Sequence, residues 1–105
     1  ATCEGDDYWT DPLKLQKQAD FLDAHPDFSM VFHNAEVRFD NDEEPPYPLN
    51  QNQKPLVTIE DLIGEKETWF MATASIMLRK TFLPVLPEWI RESKSGDIPL
   101  NILLA

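Results

Sequence analysis

An α/β domain, a small mixed sheet with flanking helices, is the fold this sequence predicts, and three observations carry the prediction. "PLKLQKQADFLDA" places apolar residues at helical spacing. "FSMVFHNAEVRF" is rich in aromatic and β-branched residues, which favour strands. Beyond a long loop, a short helix, a strand and two further helices then follow.

Each element has a local reason. Residues 1–5 read as the tail of a buried strand. A helix follows at about 12–24. Thr10 or Asp11 can cap it, Pro12 suits its first turn, and Leu15, Ala19 and Leu22 give one apolar face. Pro26 disfavours helical geometry at His25 and ends it. Residues 28–39 read as one strand, apolar on both faces in its first half and therefore central and covered there. Residues 40–55 combine acids, prolines and amides without periodicity and read as a long exposed loop. "TIEDLIGE" predicts a short helix capped by Thr58 with Asp61 three residues on, and Gly64 is placed to end it. A strand is expected near 74–79, a short helix opening at Pro87, and a last helix with Asp97 in its first turn.

Charge narrows the function. Nine Lys and Arg face nineteen Asp and Glu, a net charge of -10. Such a surface repels phosphate backbones and anionic bilayers, which argues against nucleic acid and membrane surfaces as partners. No apolar run approaches the roughly 18 residues of a membrane span. Apolar residues make up 42 %, enough for a core. The lone Cys3 can form no intramolecular disulfide, which fits a reducing compartment. The chain opens on "ATC" and closes on the uncapped apolar run "LNILLA", so both ends read as cuts through an element of a larger protein.

The densest chemistry is "CEGDDYW", residues 3–9, where Glu4, Asp6 and Asp7 crowd together. Carboxylates at a strand end suit a hard divalent cation such as Mg²⁺ or Mn²⁺. Strand alternation would aim Glu4 and Asp6 at one site. By spacing alone, these acids could equally cap the helix that follows.

"CEGDDYWTDPLKLQKQADFLDAHPDFSMVFHN" resembles the central part of family 2 glycosyltransferases, whose D-x-D-D motif precedes an aromatic, a Pro-started helix and a strand. Here these are Glu4, Asp6 and Asp7, then Tyr8-Trp9, Pro12, Lys14-Leu15 and Gln18. "TASIMLRK" and "SGDIPLNILLA" resemble later family segments, and the likeness extends over all but the 40–56 loop.

The resemblance implies a partial GT-A fold over residues 1–105, beginning at the D-x-D-like motif and lacking the upstream nucleotide-binding half. It implies metal-dependent, inverting transfer of a sugar from a nucleotide-diphospho-sugar donor to a glycan or lipid-linked acceptor. Asp6 and Glu4 would hold Mg²⁺ or Mn²⁺, and Glu4, Asp6 and Asp7 would serve the donor. Glu4 stands where Asp is commoner in the family. Asp97 would be the base that takes the acceptor proton, preceded here by Gly96 where the family often has an acid. Trp69 would line the acceptor site, with core packing as its other reading. The 105 residues alone are expected to be inactive and to self-associate through an uncovered edge or apolar face. The parent is placed in the cytoplasm, where nucleotide sugars are found in bacteria.

Other singled-out residues have structural readings. Tyr8, Trp9 and Trp89 read as core aromatics, His33 as a satisfied structural histidine and Cys3 as a small buried strand residue. Arg79 and Lys80 read as a solvated strand end, with donor phosphates as the alternative. The competing class for the whole chain is a non-catalytic acidic interaction or weak cation-binding module.

Overall fold

The chain starts without regular structure and first becomes helical where Asp11 organises it. The computed structural model describes residues 1–40, 44–64, 70–82 and 85–105. The Asp11 carboxylate accepts from Leu13 N at 2.8 Å, its carbonyl accepts from Lys14 N at 3.1 Å, and helix α1 runs over Lys14–Ala24. The helix ends at His25, whose N–H donates to the carbonyls of Phe21 and Leu22 just before Pro26. The rings of Phe21, His25 and Phe28 cluster there, with centroids 4.4 to 6.0 Å apart.

Among the described residues the strands are β1 (Met30–Val31), β2 (Glu36–Val37), β3 (Tyr47–Pro48) and β4 (Met77–Leu78). Helix α2 spans Ile59–Leu62 and α3 spans Asp97–Leu104, with 3₁₀ turns at Thr73–Ser75, Lys80–Phe82 and Glu88–Glu92. The fold is thus mixed α/β, with three α-helices and two two-stranded sheets among the described residues. In one sheet Met30 faces Leu78 and Val31 faces Met77; in the other Glu36 faces Pro48 and Val37 faces Tyr47. Both pairings are antiparallel, so the expected single mixed sheet is replaced by two small antiparallel ones.

The predicted strand at 28–39 is broken in two, and Asn34 is the reason. Its side-chain oxygen accepts from Ala35 N and Asn50 N, both at 3.0 Å, while its amide donates to Asn50 O at 2.7 Å. These bonds replace ladder bonds at the centre of the segment, a known competition of Asn with regular structure. They also bring residues 47–48 alongside Glu36–Val37, so part of the predicted loop becomes edge strand β3. Pro48 lacks an N–H and is tolerated at such an edge.

Helix α2 follows its sequence signals. The Thr58–Asp61 capping box is present, with Asp61 accepting from Thr58 N at 3.0 Å. Gly64 lies just beyond, where a Cβ would stand 3.2 Å from the Glu60 carbonyl. The segment at Pro87 forms a 3₁₀ turn, and the strand expected at 74–79 starts as one before becoming β4.

Helix α1 packs on β1 and β4, and α2 packs on α3. The buried apolar residues among those described are Leu22, Met71, Ile76, Pro99 and Leu104. The Cα radius of gyration is 14.8 Å, above the roughly 13 Å of a compact domain of this length. So small a core leaves Val85, Leu86 and Trp89 exposed, and Trp89 is not the core aromatic expected. Among the described residues no helix is long and apolar enough to cross a membrane.

The buried stripe of α1 matches the predicted one only at Leu22 and, half-buried, Ala19. Lys14, Gln18 and Leu22, four residues apart, face inward, while Leu15 is 41 % exposed. Gln18 goes inside because its amide donates to Ser75 O at 2.7 Å and, more weakly, to Val31 O at 3.4 Å. One side chain thereby joins α1 to the 3₁₀ turn and to β1. Arg79, expected at a solvated strand end, is drawn inward by donating its guanidinium to Leu22 O.

Replacing Gln18 by Ala leaves the buried Ser75 carbonyl without its partner, and loss of about 1–3 kcal/mol of stability is expected. Gln16, on the exposed face, bonds only Asp20, and Gln16→Ala is expected to change stability by less than about 0.5 kcal/mol. Urea unfolding of both variants checks this; equal midpoints would show that the Gln18 bridge does not organise the fold.

Candidate functional site

The acids at the chain start meet through a turn, not through strand alternation. Asp7 N donates to Glu4 O at 3.2 Å, which folds residues 4–7 back on themselves. A carboxylate oxygen from each of Glu4, Asp6 and Asp7 then lies within 4.8 Å of the other two. Residues 1–10 are exposed, so the predicted buried strand tail is absent. A turn in open solvent stands there instead, with no atom within 4 Å of where a Gly5 Cβ would lie. Cys3 is likewise exposed, not buried, and its thiol points to Asp7 O at 3.5 Å.

Among the described residues no ion pair reaches this triad. Three uncompensated carboxylates at such distances repel one another, and a shared cation would relieve them. The donor set is all oxygen, which fits Mg²⁺, Mn²⁺ or Ca²⁺ and not a soft metal.

The triad is tied to the body of the protein through Trp9. The indole N–H donates to Ala74 O at 2.9 Å, in the same 3₁₀ turn that receives Gln18 at Ser75. The Lys14 ammonium lies 4.2 Å above the Trp9 ring. Lys14 is only 6 % exposed and its Nζ has no hydrogen-bond partner among the described residues. Burial pushes its pKa down, and the nearby Cys3 sulfur acts in the opposite sense. Trp9 therefore ties the segment before the helix to the protein body, but at 37 % exposure it is not the core aromatic expected, and neither is Tyr8 at 65 %.

Asp97 opens α3 and is held on several sides. Ser95 Oγ and Ile98 N, the latter at 3.0 Å, donate to its Oδ1, and Thr73 Oγ1 donates to Oδ2 at 3.2 Å. The Ser95 hydroxyl, chiefly, and then the backbone and Thr73 bonds hold the Asp97 carboxyl below the ordinary aspartate range, against a smaller opposing effect of burial. Asp97 lines a hollow of about 70 Å³ with Ala1, Thr2, Thr73, Ile76 and Asn101. The carboxylates of the triad do not line it, but the chain that leads into them does. Both groups are fastened to one turn, the triad through Trp9 at Ala74 and Asp97 through its neighbour Thr73.

A larger apolar cleft of about 270 Å³ lies elsewhere, between the end of α1, β1 and α2, with Phe28, Phe32, Leu56 and Met71 in its wall. None of Glu4, Asp6, Asp7 and Asp97 lines it. Trp69 lies outside the described residues. His33 is exposed and its Nδ1 meets the Asn34 carbonyl at 2.7 Å, a local structural contact. Thr73, Ser95 and Asn101 escaped the sequence reading. A usable signal existed for two of them: Ser95 stands two residues before Asp97, and Asn101 stands one helical turn after it.

A carboxyl depressed in the folded state stabilises the fold above its unfolded pKa, about 3.9 for Asp. That contribution disappears as pH falls through the lower folded value. Asp97 belongs to this class, as do Asp11 beside Lys17, Glu60 beside Thr58 and Asp61 beside Lys54. Stability is therefore expected to fall off only below about pH 4. Ser95→Ala should raise the Asp97 pKa toward the ordinary value and move the acid limb to higher pH. Carboxyl chemical shifts followed by NMR check this; an Asp97 that titrates normally in the native protein would contradict it.

No protein-family model matches the chain, and no solved structure matches it. It is 36 % identical, over 106 aligned residues, to the uncharacterized proteins Mb1547 of Mycobacterium bovis and Rv1520 of Mycobacterium tuberculosis. The alignments take in 98 % of this chain and 26 % of each relative, so the chain spans about a quarter of the length of the curated relatives it matches.

Proposed function

We propose that this chain is the acceptor-side part of a GT-A glycosyltransferase of the family 2 type. The supporting observation is the turn that gathers Glu4, Asp6 and Asp7 within 4.8 Å, directly before a helix fastened to the same 3₁₀ turn as Asp97. Asp6 and Glu4 would hold Mg²⁺ or Mn²⁺, and Asp7 would brace the turn or meet the donor. The cation, when bound, supplies positive charge to the diphosphate that leaves a nucleotide-diphospho-sugar.

Asp97 is the base of this reading. Its hydrogen bonds keep it ionised near neutral pH, the form that accepts a proton from an attacking hydroxyl. Its place at the first residue of α3 favours the same form through the helix dipole. The acceptor is a glycan or lipid-linked hydroxyl, the whole enzyme is cytoplasmic, and its base- and ribose-binding half is supplied by sequence outside these residues. The 105 residues alone are inactive.

One observation favours a second reading. All three acids are exposed and unpaired among the described residues, as in a weak cation-binding or acidic interaction module without catalysis.

Titration with Mn²⁺ of a longer chain that includes the upstream nucleotide-binding half, read by water-proton relaxation, separates the two. In the transferase reading Asp6→Asn weakens Mn²⁺ by about tenfold or more, Asp97→Asn leaves Mn²⁺ affinity unchanged, and a nucleoside diphosphate tightens it. Equal Mn²⁺ affinity in native protein and Asp6→Asn would end the proposed metal site. Unchanged Mn²⁺ affinity on adding a nucleoside diphosphate would favour the module.

A further inference from the structure

Strand β1 has two edges and one partner. Its ladder to β4 sets Val31 opposite Met77, and the Ser29 carbonyl, two residues earlier, accepts from Arg79 N at 2.8 Å. In an antiparallel pair, bonded and non-bonded positions alternate. Met30, opposite Leu78, therefore turns its N–H and C=O away from β4. Phe32, two residues on, presents its own N–H and C=O to the same side. Among the described residues none of these four backbone groups has a hydrogen-bond partner.

The apolar cleft of about 270 Å³ runs along this edge. Ser29, Met30, Val31 and Phe32 all line it. A sheet face shows only alternate residues, so four consecutive ones mark an edge. Leu56 and Val57 close the cleft on the α2 side, and their backbones likewise make no hydrogen bond among the described residues.

These features select the occupant. Unpaired donors and acceptors that recur every second residue, about 7 Å apart, match an extended polypeptide added as a further strand. An acyl chain or an aromatic ring would leave all four groups unmet. The volume of about 270 Å³ is below the roughly 300–1,000 Å³ of pockets that hold drug-sized ligands, so a few residues fill it. Asp27 is the only charged side chain in the wall, and it forms no ion pair among the described residues. The last turn of α1, beside it, carries no basic residue and presents the negative end of the helix. A Lys or Arg on the incoming strand complements both. A second copy would instead bring another net charge of -10.

We propose that the outer edge of β1 is a strand-addition site for an extended basic segment of another protein. Alternate apolar side chains of that segment enter the cleft, and a Lys or Arg at one end meets Asp27. The site stands apart from the proposed transferase chemistry and does not depend on it.

The probe is the peptide acetyl-Lys-Val-Thr-Val-Thr-Val-Lys-amide, added to the longer chain used for the Mn²⁺ titration. Hydrogen exchange of the Met30 and Phe32 amides is followed by NMR. Both are expected to exchange freely without peptide and at least about tenfold more slowly at saturation. The same peptide N-methylated at its five central amides should give no protection. Asp27→Asn, or Glu in place of both peptide lysines, should weaken binding about two- to fivefold. Equal protection by the N-methylated peptide would overturn the inference, as would unchanged affinity in Asp27→Asn or with the Glu peptide. Amides already protected in the absence of peptide would overturn it as well. Protection at every protein concentration would mean that the polypeptide fills its own edge, and protection that grows with concentration would mean that a second copy does.

Discussion

The structure depends on one short turn of small residues, Thr73–Ser75, whose carbonyls receive side chains from elsewhere in the chain. Trp9 donates to Ala74 and Gln18 to Ser75, while Thr73 reaches out to Asp97. Small residues are needed here because an indole and a carboxamide must both approach the backbone closely. With only five buried apolar side chains among the described residues, hydrogen bonds of this kind carry much of the specificity of the fold.

The turn also explains how two distant groups of acids become related. The triad lies in a flexible-looking sequence without regular structure, yet Trp9 fixes the point where it joins the body. Asp97 is separated from it by ninety residues of sequence and is reached by a single hydroxyl from the same turn. The two sites differ in kind. The triad is exposed, and its charges meet no cation among the described residues. Asp97 is partly covered and surrounded by donors that stabilise its charge. The first arrangement suits capture of a cation and the second suits a fixed carboxylate, which is why the proposed function gives them different roles.

Buried polar groups are the other theme. Lys14 Nζ, Gln18 Oε1, Arg79 Nε and Asn101 Nδ2 are all buried without partners among the described residues. Lys14 has the face of Trp9 as partial compensation. Arg79 still donates elsewhere through its guanidinium, and Gln18 through its amide. Asn101 alone combines an orphan donor with a hollow that also holds a carboxylate.

What the sequence determined by itself is local. Asp11 turns the chain just before α1, although Leu13 stands at the N-cap and Pro12 lies outside the first turn it was expected to start; His25 and Pro26 close α1, Thr58 and Asp61 cap α2, and Asp97 opens α3, because caps and prolines act within a few residues of where they stand. The crowding of Glu4, Asp6 and Asp7 was equally legible, although a turn and not a strand brings them together. Tertiary structure decided the rest. Hydrophobic periodicity chose Leu15 for the interior, but a carboxamide that can satisfy Ser75 and Val31 put Gln18 there instead. β-propensity drew one strand through Asn34, but its bonds to Asn50, sixteen residues away, cut it in two. Pairings of that kind depend on which distant carbonyl or amide comes within about 3 Å, and no local pattern along the chain encodes that distance.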